Sequence, residues 1–189
     1  MIRGTGCAIP SDTQVAAKWV RGTQAIESLR QEATMYDNDL RPLQGSSVPT
    51  FFGMFTGVHD GVDLGCLVLE WCPGNGPVAD GKPTDDVLHM RAQAVRSLHD
   101  AGVHHGQLYE RPHALCVSDG RHFLRAKDGT IRIVDFQRAT RHHCVYRSDE
   151  IEGYGSFDSS ECQELAFAAE YSHRAYMEGQ LQSIPWNAF

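Results

Sequence analysis

The residues of this chain able to carry chemistry are ten histidines, six cysteines and a few placed charges. Seven of the histidines fall between His99 and His143, among them the pairs His104-His105 and His142-His143. Histidine is the natural acid or base near neutral pH. His104, His105 and His113, with Gln107 among them, are therefore candidates for proton handling, although each taken singly is more often a core or loop-bracing residue. Cys7, Cys66, Cys72, Cys116, Cys144 and Cys162 form no C-x-x-C pair and no zinc-ribbon spacing. Four of them lie in or beside apolar stretches and read as small core residues. His142, His143 and Cys144 invite a metal reading, but neighbours on a strand point to opposite faces and chelate poorly without further ligands. A metal held mainly by His and Cys is therefore not expected. Lys18 is a cation in an alternating apolar run, and a lysine can hold phosphates if a carboxylate fixes its rotamer. Glu32 stands fourteen residues on, at the edge of an apolar helix face, where its carboxylate could reach inward. The bland readings of these two are an exposed lysine on a strand and a solvated glutamate on a helix.

Periodicity predicts the elements that would position these groups. Residues 14–20 alternate as a strand, preceded by the turn residues Ile9-Pro10-Ser11-Asp12, so residues 1–8 are expected as its hairpin partner. Ile26, Leu29, Ala33, Tyr36 and Leu40 share one face of a helix over 23–40, with Thr23 as its cap and Pro42 and Gly45 beyond its end. Residues 48–55 and 63–71 read as two strands joined through the region 57–61. The Gly- and Pro-rich stretch 73–83 is the best linker. Thr84 is expected to cap a helix over 84–100, and Gly102 to terminate it. Short strands are expected over 114–117, 123–125 and 131–134, the last two as a hairpin. Ser159 or Ser160 can cap a final helix that reaches about residue 179.

This order of a Lys strand, a Glu helix, two strands, a linker, a helix, a His-Gly loop and a hairpin ending at Asp135-Phe136 resembles the eukaryotic protein kinase fold. Val15-Ala16-Ala17-Lys18 resembles the V-A-I-K strand, whose lysine holds ATP phosphates and pairs with a helix glutamate, here Glu32. Leu69-Glu70-Trp71-Cys72 resembles the hinge, whose backbone would meet the adenine edge. Residues 98–108, Leu-His-Asp-Ala-Gly-Val-His-His-Gly-Gln-Leu, resemble the catalytic loop. Ile131-Arg132-Ile133-Val134-Asp135-Phe136 resembles the strand ending in D-F-G, whose aspartate holds magnesium. The stretch 32–53 is similar to small fungal kinase-like proteins. The resemblance covers residues 14–139. It implies one α+β domain over 1–189 with a truncated bilobal protein-kinase-like fold. Residues 1–72 would form a small lobe of antiparallel sheet plus helix, 73–83 a hinge, and 84–189 a reduced, mainly helical large lobe with a short hairpin. It also implies ATP and Mg²⁺ as cofactors, with Lys18, Glu32, Glu70 and Cys72 on the nucleotide and Asp135 on the metal.

Departures from the family pattern bear on function. Gln107 replaces the catalytic aspartate, and a neutral amide cannot accept a proton as a base. Pro112 stands where the magnesium-binding asparagine belongs. His113 beside it would suit a transition metal better than hard Mg²⁺. Gln137 replaces the glycine after Asp135-Phe136. No complete G-x-G-x-x-G precedes Lys18, no A-P-E follows Asp135, and about 50 residues remain after Phe136.

Two functions follow as expectations. The first is a pseudokinase, a binding or regulatory domain with a nucleotide-type cleft and impaired transfer. The alternative is an enzyme of altered chemistry on a small molecule, with Gln107, His105 and His113 in place of the kinase Asp and Asn. A third reading is an unrelated α+β domain that matches by accident. With 189 residues and 41% hydrophobic content, the chain can bury roughly 70% of its unfolded surface without a disulfide or metal. Seventeen Lys and Arg against 24 Asp and Glu argue against a nucleic-acid surface. The apolar runs are too short to span a membrane, and the N-terminus lacks a secretion signal. The expected partners are a nucleotide or small molecule and a protein, in a reducing, cytoplasmic setting.

Overall fold

A computed structural model of the chain describes residues 3–6, 11–74, 78–79, 82–108, 120–144, 162–165 and 168. Strand β1 is Arg3–Gly6, β2 is Val15–Arg21, helix α1 is Thr23–Asp37, β3 is Phe51–His59 and β4 is Val62–Glu70. β5 (Val78–Ala79), β6 (Lys82–Pro83), α2 (Asp85–Asp100) and β7 (Val103–His104) follow. β8 (Phe123–Arg125), β9 (Ile131–Ile133) and β10 (Thr140–Arg141) complete the described strands. The architecture is α+β, with small antiparallel sheets and few helices.

The four-stranded sheet runs β1-β3-β4-β2. β3 and β4 form a hairpin closed by two residues, since His59 pairs with Val62. Asp60 and Gly61 have φ of 51° and 75°, the left-handed geometry that a tight Asp-Gly hairpin turn requires. The turn is thus shorter than the 57–61 region expected from composition, and the strands are longer. β2 pairs with β4 along its whole length, from Val15↔Glu70 to Arg21↔Leu64. The N-terminal strand does not form a hairpin with β2, as the turn residues at 9–12 suggested. β1 pairs with β3 instead, Arg3 opposite Thr56 and Gly6 opposite Gly53. The nine-residue β3 offers a longer open edge than the seven-residue β2.

α1 lays Ile26, Leu29, Ala33 and Tyr36 on this sheet. Gly65 in β4 lets it come close: a Cβ there would stand 3.1 Å from Ile26 Cγ1 and 3.2 Å from Val20 Cγ2. Two capping expectations are corrected. Gly22, at φ 84°, is the N-cap of α1, so Thr23 falls inside the helix. Thr84 holds the N-cap position of α2, but its side chain makes no capping bond. α1 also stops at Asp37, and the chain continues through a short 3₁₀ turn at Arg41–Leu43. The Gly/Pro stretch is not wholly irregular, since β5 and β6 pair within it.

α2 packs on β9, with Val87, Ala94, Val95 and Leu98 buried. The β8–β9 hairpin forms as expected. One continuous apolar cluster joins Leu29 and Leu67 from the first half of the chain to Leu98, Ile133 and Phe136 from the second. Arg132, 2% exposed, fastens the halves together. Its guanidinium donates to the carbonyls of Gly45 (2.8 Å) and Ser46, and pairs with Asp128 and Glu70. The strand expected over 114–117 lies outside the described residues. So does most of the final helix, of which residues 163–165 and 168 are described as helical. No helix among the described residues is long and apolar enough to cross a membrane.

Candidate functional site

Three elements converge on the Lys18 ammonium. β2 carries Lys18, α1 turns Glu32 inward beneath the sheet, and the chain leaving β9 delivers Asp135. Lys18 Nζ lies 2.8 Å from Glu32 Oε2 and 2.7 Å from Asp135 Oδ1. Glu32 is fully buried, and its second oxygen accepts the Phe136 N–H at 3.2 Å. One carboxylate therefore fixes both the lysine and the backbone after Asp135. Asp135 has φ 73°, a conformation that costs a non-glycine residue of order 1–3 kcal/mol and clusters at functional sites.

The charges set one another. Burial opposes the Lys18 charge, but Glu32 and Asp135 outweigh it and hold the lysine pKa above its ordinary value. Burial pushes the Glu32 carboxyl up, against the pull of Lys18. Burial also acts to raise Asp135, but the Lys18 hydrogen bond and charge prevail and keep it below the usual carboxylate value. Asp135 and Lys18 side chains remain about one-third exposed, at 36% and 34%. The cluster thus opens to solvent on the side away from Glu32. Asp135 Oδ2 faces His122 Nδ1 at 3.9 Å.

The loop bearing Gln107 runs beside the Asp135 turn. His105 Nε2 bonds the Val134 carbonyl at 3.0 Å, which assigns the ring proton to that nitrogen. Its ring packs on Phe136 and His122, with centroids 5.0 and 5.1 Å away. Gly106, at φ 79°, has no room for a Cβ, which would meet the Arg138 carbonyl oxygen at 3.0 Å. Gln107 Oε1 is buried without a hydrogen-bond partner among the described residues.

Of the residues singled out by sequence, Lys18, Glu32 and Asp135 meet directly. His105 and Gln107 lie in the adjoining loop. His105 is wholly buried, and burial lowers its pKa to about 4, so it braces the loop as a neutral ring. Glu70 ends β4 and Cys72 follows it, and their side chains bond locally. The Glu70 carboxylate accepts the Thr50 N–H at 3.0 Å and pairs with Arg132, and its own N–H goes to the Thr50 carbonyl. The Cys72 thiol faces the Glu70 carbonyl at 3.9 Å, and burial pushes its pKa up to about 11. His113 lies outside the described residues.

Sequence reasoning missed Glu164 and Arg132. The buried Glu164 carboxylate accepts the N–H groups of His105 (3.0 Å) and Gly106 (2.9 Å), so it shapes the Gln107 loop from below. Its position in a stretch of mixed acidic and apolar residues gives no local signal of this. A hard-cation ligand is available at Asp135, whose oxygens suit Mg²⁺. Compared with protein-family models and with curated proteins, the chain matches none.

Proposed function

We propose that the Lys18–Glu32–Asp135 cluster is the phosphate end of a nucleotide cleft in a truncated, bilobal kinase-like domain, and that the chain binds or regulates rather than transfers phosphate. The observation that carries this reading is the Lys18 ammonium, within 2.8 Å of two carboxylates, one 14 and the other 117 residues away in sequence. A lysine held by a buried glutamate is a preorganised cation for phosphate oxygens. Asp135 would hold a divalent ion, which would supply charge neutralisation between its carboxylate and the phosphates. Lys18 then keeps its rotamer through Glu32 and can turn its remaining hydrogens to the ligand.

Two features favour binding over transfer. Gln107 stands where a base would be needed, and general base catalysis is typically worth about 10²–10⁴ in rate. β2 is an edge strand, and among the described residues no strand lies outside it to cover bound phosphates. The rival reading, altered chemistry on a small molecule, has less support. Of its acid–base candidates, His105 is sealed in the interior with a pKa of about 4, His104 is about one-third exposed, and His113 lies outside the described residues.

The test is the melting temperature of the full chain with ATP, with and without Mg²⁺. A ligand at 100 times its dissociation constant stabilises by about 2.7 kcal/mol. The expected result is a Mg²⁺-dependent rise that Asp135→Asn removes, with Gln107→Asp gaining phosphotransfer. No rise, and no displacement of a fluorescent nucleotide by millimolar Mg-ATP, would overturn the reading.

A further inference from the structure

The run His142-His143-Cys144 lacks, by itself, the ligands for a metal. The fold brings two more. β7 and β10 pair with Thr140 opposite His104 and Arg141 opposite Val103, and the His142 N–H continues the ladder to the Gly102 carbonyl at 2.8 Å. Gly102, at φ 75°, turns the chain sharply out of α2, so this ladder lays residues 142–144 across the end of that helix. His99 is in the last turn of α2. Cys162 stands at the start of the helical residues that carry Glu164. One ligand atom from each of His99, His142, Cys144 and Cys162 lies within 4.8 Å of all the others.

We propose that His99, His142, Cys144 and Cys162 form a four-ligand Zn²⁺ site that ties the end of α2, the segment after β10 and the helix of Glu164 into one structural centre. The site needs no nucleotide and stands whether or not ATP binds.

Three observations carry it. The first is the donor set: two imidazoles and two thiols, one atom each, with no open position, are what a closed structural zinc takes. His99 Nδ1 is 3.4 Å from Cys162 Sγ. Zinc bonds of about 2.0 Å to nitrogen and 2.3 Å to sulfur put tetrahedral N and S ligands roughly 3.5 Å apart. The second is the group behind the ligand. His99 Nε2 faces Glu164 Oε1 at 3.0 Å, and that carboxylate is itself fixed by the N–H groups of His105 and Gly106. A carboxylate behind a histidine sets its tautomer and aims the other nitrogen at the ion. The third is a nitrogen without a partner: His142 Nε2 is buried and bonded to nothing among the described residues. Zn²⁺ binding would release one proton from each thiol and form two Zn–S and two Zn–N bonds, leaving a neutral centre.

The experiment uses the full chain purified with reductant from zinc-supplemented cells. The expected result is about one zinc per chain after gel filtration. Replacement by Co²⁺ should give visible d–d bands with thiolate-to-cobalt charge transfer. Cys144→Ser and Cys162→Ser should lose that transition, while His143→Ala and Cys66→Ala keep it. Should either serine variant fail to fold, His142→Ala and Glu164→Gln provide the readout. Glu164→Gln, which touches no metal, is expected to weaken Zn²⁺ about 10–100-fold in a chelator competition. Substoichiometric zinc with no charge transfer, metal retained in both serine variants, or a Cys144–Cys162 disulfide in the reduced preparation would each overturn the site.

Discussion

At the scale of single residues, the central fact is a carboxylate that cannot reach water. Glu32 is fully buried and has two partners, the Lys18 ammonium and the Phe136 N–H. Removing Lys18 strands that charge. Breaking a buried pair from one side costs about 3–5 kcal/mol. Lys18 is one-third exposed, which lets water screen the pair, so Lys18→Met is expected to cost about 2–3 kcal/mol. Glu32→Gln keeps an acceptor for Phe136 and removes the charge. The double variant should therefore be more stable than the sum of the singles requires, by about 1 kcal/mol or more. Urea unfolding of all four proteins measures this, and strict additivity would mean that Glu32 does not depend on Lys18. Lys18 thus has a structural duty in addition to any toward phosphate. For that reason the nucleotide test rests on Asp135→Asn, whose carboxylate is one-third exposed.

At the scale of elements, what was legible in sequence depended on local signals. β2, α1, α2 and the β8–β9 hairpin announce themselves through apolar spacing and turn residues, and their observed bounds differ from the expected ones by a few residues. β1 carries no such signal. Two of its four residues are glycine, and its partner is set by the open edge of β3, about fifty residues away. Glu164 and Cys162 are equally silent, because their roles depend on contacts 58 to 65 residues distant in sequence. His142 and Cys144 were visible as ligand types, but the ladder that turns them toward His99 was not. The close approach of α1 to the sheet is another tertiary fact, and Gly65 makes it possible. The ends of the Ile26, Val20 and Leu29 side chains already fill the space above it. Gly65→Val should overpack this contact and cost about 1–3 kcal/mol. It should also pull Glu32 away from Lys18, so that any Mg-ATP affinity falls more than in an equally destabilised variant elsewhere in the core. A stability unchanged by Gly65→Val would show that α1 has slack.

At the scale of the whole molecule, acid is the condition that separates the interior charges by sign. Asp135 has a folded pKa below its ordinary value, so its stabilisation is present above the unfolded pKa and is lost as pH falls through the folded one. Glu32 is raised in the folded state, so its protonation favours folding as pH falls and partly offsets that loss. The Asp135 effect lies at and below that group's ordinary value of 3.8. His105 acts at higher pH than Asp135. Its ordinary pKa of 6.5 falls to about 4 on folding, chiefly through burial, with the Val134 hydrogen bond, Glu164 and Asp135 opposing and His122 reinforcing the fall. Between these values the unfolded chain binds a proton that the folded chain does not, so stability must fall as pH drops from about 6.5 toward about 4. The difference amounts to about 2 kcal/mol at pH 5. His105→Gln keeps a donor for the Val134 carbonyl and cannot titrate. Urea unfolding at pH 7 and pH 5 should show the wild type losing more stability than His105→Gln over that interval. Because His105 joins the Gln107 loop, Phe136 and the carbonyl of Val134, its protonation loosens the segment that presents Asp135, and any Mg²⁺-dependent nucleotide binding should weaken over the same pH range in the wild type alone. Parallel pH profiles for the two proteins would mean that the buried imidazole is not what couples this fold to acid.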